Sequence, residues 1–129
     1  VAILYQGQAR LLGYTPQAQA PITLQLLKPG EILGWASLVR GVPCETAIAS
    51  TEAICLTIPS SDFLALLDQE PLLATALSDH CTLIEVFDLL SAEMDRLALG
   101  SANLKELALK ASVSAVVQNL PPGETPLHS

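Results

Sequence analysis

The spacing of apolar positions changes once along this chain, near Ser60. Before that point it follows a period of two. Ile3-Leu4-Tyr5 and Ala9-Arg10-Leu11-Leu12 flank Gln6-Gly7-Gln8, which predicts two short strands around a glycine turn. Gly13 to Ala20 is polar and contains Pro16, the pattern of a loop tip. Ile22, Leu24 and Leu26 alternate with Thr23, Gln25 and Leu27, as in a half-buried strand, and Pro29-Gly30 signals a turn. Ile54, Leu56 and Ile58 alternate with Cys55 and Thr57. Strands are therefore expected over 3–12, 22–27 and 46–58, in a small antiparallel β-sandwich or roll.

Beyond Ser60 the period becomes helical. Ser60 or Ser61 is placed to cap a helix carrying Phe63, Leu64, Leu66 and Leu67. Glu70-Pro71 breaks it and opens a longer helix, with proline in the first turn. Ala76, Leu83, Leu90 and Leu97 recur at a constant spacing, with His80, Phe87 and Met94 interleaved, a heptad-like stripe. One long helix over 71–99, ended by Gly100, is the expectation. Asn103-x-x-Glu106 reads as a capping box for a last helix, Leu104 to Gln118, and Pro121-Pro122-Gly123 opens a disordered tail. The organisation expected is one α+β domain over 1–100, an added helix over 101–120 and a tail over 121–129. The stripe serves either as core or as a pairing surface; a homodimer through 76–97, or packing on other domains of a longer parent chain, is expected. The chain has no initiator Met and opens inside a strand-like pattern, so it reads as a fragment.

Composition narrows the function classes. Half of the 129 residues are hydrophobic, enough for a core. Thirteen acids against six bases give a net charge of −7, which argues against nucleic acid and against anionic membrane surfaces. No apolar stretch reaches the roughly 18–20 residues that span a bilayer, and no basic n-region precedes the apolar start. Three cysteines, Cys44, Cys55 and Cys81, form no C-x-x-C and read as reduced thiols of a cytoplasmic protein.

No catalytic or metal set converges. Asp79-His80-Cys81 are adjacent, and adjacent helical residues point to different faces; His80 lies on the apolar stripe and reads as packing. Ser60-Ser61-Asp62 reads as a cap, with no nucleophile elbow or distant His to make a triad. Cys44 has no flanking base to lower its thiol pKa.

The densest run of signals is Lys28-Pro29-Gly30-Glu31-Ile32-Leu33-Gly34-Trp35-Ala36-Ser37-Leu38, followed by Gly41-Val42-Pro43-Cys44-Glu45-Thr46-Ala47. Turn, short helix, loop and strand in this order can make a small anion pocket. With Tyr5-Gln6-Gly7-Gln8-Ala9-Arg10-Leu11 before it and Ile48 to Leu67 after it, the set resembles the cyclic nucleotide-binding domain family. The resemblance covers about Ile3 to Leu99 and lacks the family's N-terminal helix and first strands. It implies a β-roll followed by helices, and a phosphate-binding cassette formed by Gly34, Trp35, Ala36, Ser37, Cys44, Glu45 and Thr46. In such a cassette a glycine lets backbone amides approach the cyclic phosphate at a helix N-terminus. A Glu after it binds the ribose hydroxyl, and an Arg after the loop proline neutralises the phosphate. Here Gly34 and Pro43 match, and Thr46 matches the small position. Trp35 stands at the Glu position and Cys44 at the Arg position. A register shifted by one puts Glu45 there instead, and Arg40 is the only base within the cassette.

Losing two hydrogen bonds to charged groups costs roughly 3–6 kcal/mol, about 10²–10⁴ in affinity. The pocket therefore reads as degenerate: Trp35 fills it, or offers a stacking surface to some other ligand. The expected function is a non-catalytic regulatory or interaction module of a larger protein, such as an ABC transporter, a channel or another signalling protein, without a resident cofactor. A working sensor of a cyclic nucleotide or another small molecule is one alternative. The effector half of a transcription regulator is another, although residues 104–118 carry only Lys105 and Lys110 as bases.

Overall fold

The computed structural model describes residues 1–15, 20–99 and 103–123. Six strands come first: β1 (Ala2–Gln6), β2 (Ala9–Gly13), β3 (Ile22–Leu27), β4 (Ile32–Leu33), then helix α1 (Trp35–Arg40), β5 (Thr46–Ala49) and β6 (Ile54–Thr57). Helices α2 (Ser60–Gln69), α3 (Pro71–Asp79), α4 (Leu83–Arg96) and α5 (Leu104–Ser114) follow. The strands form two three-stranded antiparallel sheets, β4-β1-β6 and β3-β2-β5, so the fold is α+β. The turn between β1 and β2 is made by Gly7. Its φ is 94°, and a Cβ there would sit 2.4 Å from the Glu52 carbonyl oxygen, so only glycine fits.

The expected alternation in β3 fails at one point. Leu24 and Leu27 are buried, whereas Leu26 and Ile22 reach solvent. The cause is a register shift against β2: Leu11 pairs with Gln25 but Leu12 with Thr23, leaving Leu24 unpaired as a bulge. A bulge resets the side-chain alternation beyond it, so Leu27 rather than Leu26 turns inward. β5 and β6 lie at sheet edges and are exposed along their whole lengths.

The main core joins Leu4, Leu11, Leu24 and Leu27 of the sheets to Ile84, Val86 and Phe87 of α4 and Leu104 and Ala108 of α5. Leu83, Leu90 and Met94 pack against it. Four members of the apolar stripe, Leu83, Phe87, Leu90 and Met94, thus serve the protein's own core. A second cluster holds Trp35 and Ala36 of α1 with Phe63 of α2, flanked by Ile58, Leu67 and Leu77.

The single helix expected over 71–99 is two helices. α3 stops at Asp79, His80 is extended, and α4 starts after Thr82. Thr82 and Glu85 form a complete capping box there. The broken backbone also gains partners from the chain after α5: His80 bridges Val116, and the Val117 amide donates to the Asp79 carbonyl at 3.0 Å. His80 is exposed at this break, not packed on a continuous stripe, and Ala76 is exposed as well. The cap expected at Ser60 or Ser61 is also corrected, and Asn103 is the N-cap of α5 as expected but without the expected side-chain box. Pro59 is the N-cap of α2, and neither it nor Asn103 makes a side-chain cap bond. α5 ends at Ser114, short of Gln118.

α4 ends before Gly100, which with the rest of 100–102 lies outside the described residues. The Leu99 amide donates to Met94 O at 2.9 Å and the Ala98 amide to Asp95 O at 3.0 Å, a Schellman motif with Ala98 in the left-handed position at φ 55°. An L-residue with a Cβ costs about 1–2 kcal/mol there. Ala98→Gly is expected to raise stability by about 0.5–1 kcal/mol, after glycine's own entropy is subtracted, as read from urea unfolding. The expected loop tip around Pro16 and the tail over 124–129 lie outside the described residues.

Candidate functional site

The cassette segment is built from the turn at Lys28–Glu31 upward. The Gly30 amide donates to Leu4 O at 2.8 Å and the Leu4 amide to Glu31 O at 3.0 Å, so the turn is clipped to β1. β4 then leads into Gly34, the N-cap of α1, at φ 85°. That left-handed backbone aims the Gly34 amide away from α1 and toward the returning loop. The amide has a partner already: it donates to the Glu45 carboxylate Oε2 at 2.8 Å. A hydrogen bond to an ionised acceptor is among the strong ones. The one glycine amide that a cassette of this shape presents to an anion is thus held by the chain's own carboxylate.

The remaining cassette residues divide into two groups. Gly34, Cys44 and Glu45 line one open cavity of about 470 Å³ with Leu33, Thr57, Ile58 and Pro59. Trp35 and Ala36 are turned the other way, buried at 4% and 2% exposure in the cluster with Phe63. The Ser37 hydroxyl donates back to the Gly34 carbonyl at 2.9 Å. Thr46 is exposed in β5 and pairs with Leu12. The structure brings three of the seven expected residues to the cavity at the Gly34 amide and directs the others elsewhere. Trp35 and Glu45 also border an inner recess of about 130 Å³, closed by His80, Thr82, Leu83 and Ile84. That is well below the roughly 300 Å³ at which ordinary ligand sites begin. Among the described residues no Lys or Arg lines either cavity.

Arg40, the only base in the cassette, is committed elsewhere. Its Nε donates to Glu85 Oε2 at 3.3 Å and its Nη2 pairs with Glu85 Oε1. Nη1 donates to the carbonyls of Leu77 and Ser78 at 3.2 and 3.4 Å, and Nη2 to that of His80 at 2.8 Å. These carbonyls lie at the C-terminus of α3, where intrahelical donors run out, although that of Leu77 also accepts from the His80 amide at 3.2 Å. The guanidinium also stands 5.1 Å from the Trp35 ring centroid, and His80 lies on the same ring system at 6.0 Å. Burial pushes the Glu85 carboxyl up, but hydrogen bonds from Arg40 and Thr82, with the Arg40 charge, outweigh it and hold it below its ordinary value. The Cys81 thiol is pushed up by burial and by the Glu85 carboxylate, against the opposing pull of Arg40, so it is not an activated nucleophile.

Residues 1–70, more than half of the chain, match the family model described as the cyclic nucleotide-binding domain. The chain belongs to the cyclic nucleotide-binding domain family. No curated protein and no solved structure matches it. Domains of this family are in general regulatory or sensory modules rather than catalysts, and the family match covers β1 to α2, including the whole cassette. Among the described residues no helix is long and apolar enough to cross a membrane. Sequence reasoning did not find the Glu45–Gly34 bond or the Arg40–Glu85 clamp. The first depends on a loop closing back by eleven residues, the second on a contact forty-five residues apart. The signal that could have found α4's start was local: Thr82-Leu83-Ile84-Glu85 is itself a capping-box sequence.

Proposed function

We propose that this cyclic nucleotide-binding domain is a non-catalytic regulatory and interaction module whose cassette is occupied from within and no longer responds to cyclic nucleotides. The observation that carries this is the Glu45 carboxylate on the Gly34 amide. A cyclic phosphate would have to displace that carboxylate and then lie beside it, with no Lys or Arg side chain among the described lining residues to offset the repulsion. Arg40 cannot be recruited without uncapping α3 and stranding Glu85. Trp35 fills the space on the other side of Gly34. The module's setting, in this reading, is a longer cytoplasmic or membrane-associated protein such as a transporter, channel or signalling protein, whose other domains are its partners. For a homodimer through residues 76–97, the large apolar side chains that remain outward are Leu89 and Leu97, at 72% and 50% exposure.

Calorimetry at neutral pH is expected to give no binding of cyclic AMP or cyclic GMP tighter than about 100 μM. Fluorescence of Trp35, the only tryptophan, gives a second readout beside Gly34. Saturable binding in the low micromolar range would overturn the reading in favour of a working sensor. The informative gain-of-function variant is Cys44→Arg with Glu45→Ser, which adds a cation and frees the amide while leaving the Trp35 cluster intact. It is expected to bind cyclic nucleotide at least about tenfold more tightly than the parent domain.

A further inference from the structure

The cassette loop and α4 enclose a groove of about 180 Å³ that shares no lining residue with the cavity at Gly34. Val42 and Pro43 form one wall; Ile84, Glu85, Asp88 and Leu89 of α4 form the other. These four are neighbours on successive turns of one helix face. Ile84 is buried at the base, and Leu89 stands at the rim with 72% of its surface in solvent. The two carboxylates on this wall differ. Glu85 is neutralised by Arg40. Asp88 stands exposed at the rim with no hydrogen bond or ion pair among the described residues, and partial burial beside the slot raises its carboxyl above its ordinary value. A carboxylate without a counter-charge, standing at the rim of an apolar slot, attracts an incoming cation whose apolar neighbour can enter that slot.

We propose that this groove docks a basic, apolar segment of a protein partner: one large aliphatic or aromatic side chain enters between Pro43 and Ile84, and an adjoining Arg or Lys pairs with Asp88. Charge complementarity selects this occupant. The chain carries a net charge of −7, so a basic segment is also steered toward it from a distance. The slot is too small for a nucleotide-sized ligand and suits a single anchoring side chain. A second copy of the same acidic chain would bring like charge to Asp88. The proposal rests on the interaction role suggested above and names its partner class. It does not depend on whether the cassette binds nucleotide, because the two sites are read out separately.

The test is an NMR titration of the labelled domain with a short synthetic peptide alternating Leu and Arg. The expected dissociation constant is about 0.1–1 mM, as for one anchor and one ion pair. Amide shifts should cluster on residues 42–43 and 84–89. A peptide with Glu in place of Arg, and one with Ser in place of Leu, should each bind at least about tenfold more weakly. Asp88→Asn should weaken the Leu–Arg peptide about tenfold without lowering the melting temperature, since the native carboxylate has no partner to lose. Leu89→Ser should weaken it as well. The proposal is overturned if the shifts map elsewhere, if Asp88→Asn leaves affinity unchanged, or if the Glu peptide binds equally. Absence of binding up to several times the upper expected constant overturns it too. Concentration-dependent shifts at the same residues without peptide would assign the groove to self-association instead.

Discussion

Phe87→Asp is expected to leave no cooperatively folded protein. Phe87 has no exposed surface and sits at the centre of the main core. Its ring lies directly against β2: a Cβ on Gly13 would meet the Phe87 ring at 2.7 Å. Removing the ring alone, as in Phe87→Ala, costs about 3–5 kcal/mol through lost transfer energy and the cavity left behind. An aspartate adds the cost of a buried carboxylate with no cation beside it, several kcal/mol more. Domains of this size have a total stability of about 5–15 kcal/mol, so the sum exhausts most or all of it. Phe87→Leu should cost only about 1–1.5 kcal/mol. Circular dichroism with urea unfolding checks all three. The result that would sink the core assignment is a Phe87→Asp protein that melts like the parent but changes from dimer to monomer by light scattering. That outcome would put the ring at a subunit interface.

The change of period near Ser60 was legible, and with it the order of strands, turn, cassette and helices. The cassette's resemblance could be read as well, because Gly34, Pro43 and the turn at Pro29-Gly30 are local signals. Three things were not legible, for separate reasons. The bulge at Leu24 depends on how β2 and β3 pair, and nothing in the sequence of β3 alone marks it. The break between α3 and α4 was hidden by the heptad spacing, which continues in register across it. Ala76 and Leu83 look like one face although His80 between them is extended. There the capping box at Thr82 and Glu85 competed with periodicity and won, because the tertiary fold supplies partners for the exposed backbone of residues 79–82. The third was the fate of the cassette's charges. Composition shows that Arg40 and Glu45 are present, but only the fold shows that Glu45 faces the Gly34 amide and Arg40 faces away.

Replacing Arg40 by methionine is expected to cost about 3 kcal/mol and to change how stability depends on pH. The methionine keeps much of the aliphatic stem against Trp35, so the loss is mainly electrostatic. Removing one partner of a buried ion pair typically costs about 3–5 kcal/mol, since the other charge is left behind. The low end applies because the Arg40 and Glu85 side chains retain 15% and 12% of their surface in solvent. The α3 carbonyl of Ser78 loses its Arg40 donor at the same time, and that of Leu77 keeps only the His80 amide. Glu85 fixes the sign of the pH effect. Its folded-state carboxyl lies below the ordinary value of 4.5, so the folded state binds its proton less readily than the unfolded chain. The stabilisation is therefore fully present above about pH 4.5 and is lost as the pH falls through the lowered folded value. In Arg40→Met the largest opposing influence, burial, is no longer outweighed by the Arg40 charge, and only the Thr82 bonds still hold the carboxyl down. Acidification from pH 6 to pH 3 should then destabilise the variant less than the parent, so the two urea midpoints converge in acid. Glu85→Gln in the parent should flatten the same part of the pH profile while keeping the capping geometry at Thr82. A double-mutant cycle between positions 40 and 85 separates the pair's coupling from the carbonyl contacts. Parallel pH profiles for parent and Arg40→Met would show that Glu85 does not draw its lowered pKa from Arg40. The clamp would then join α1 to the α3–α4 break through the carbonyls and the Trp35 stack alone.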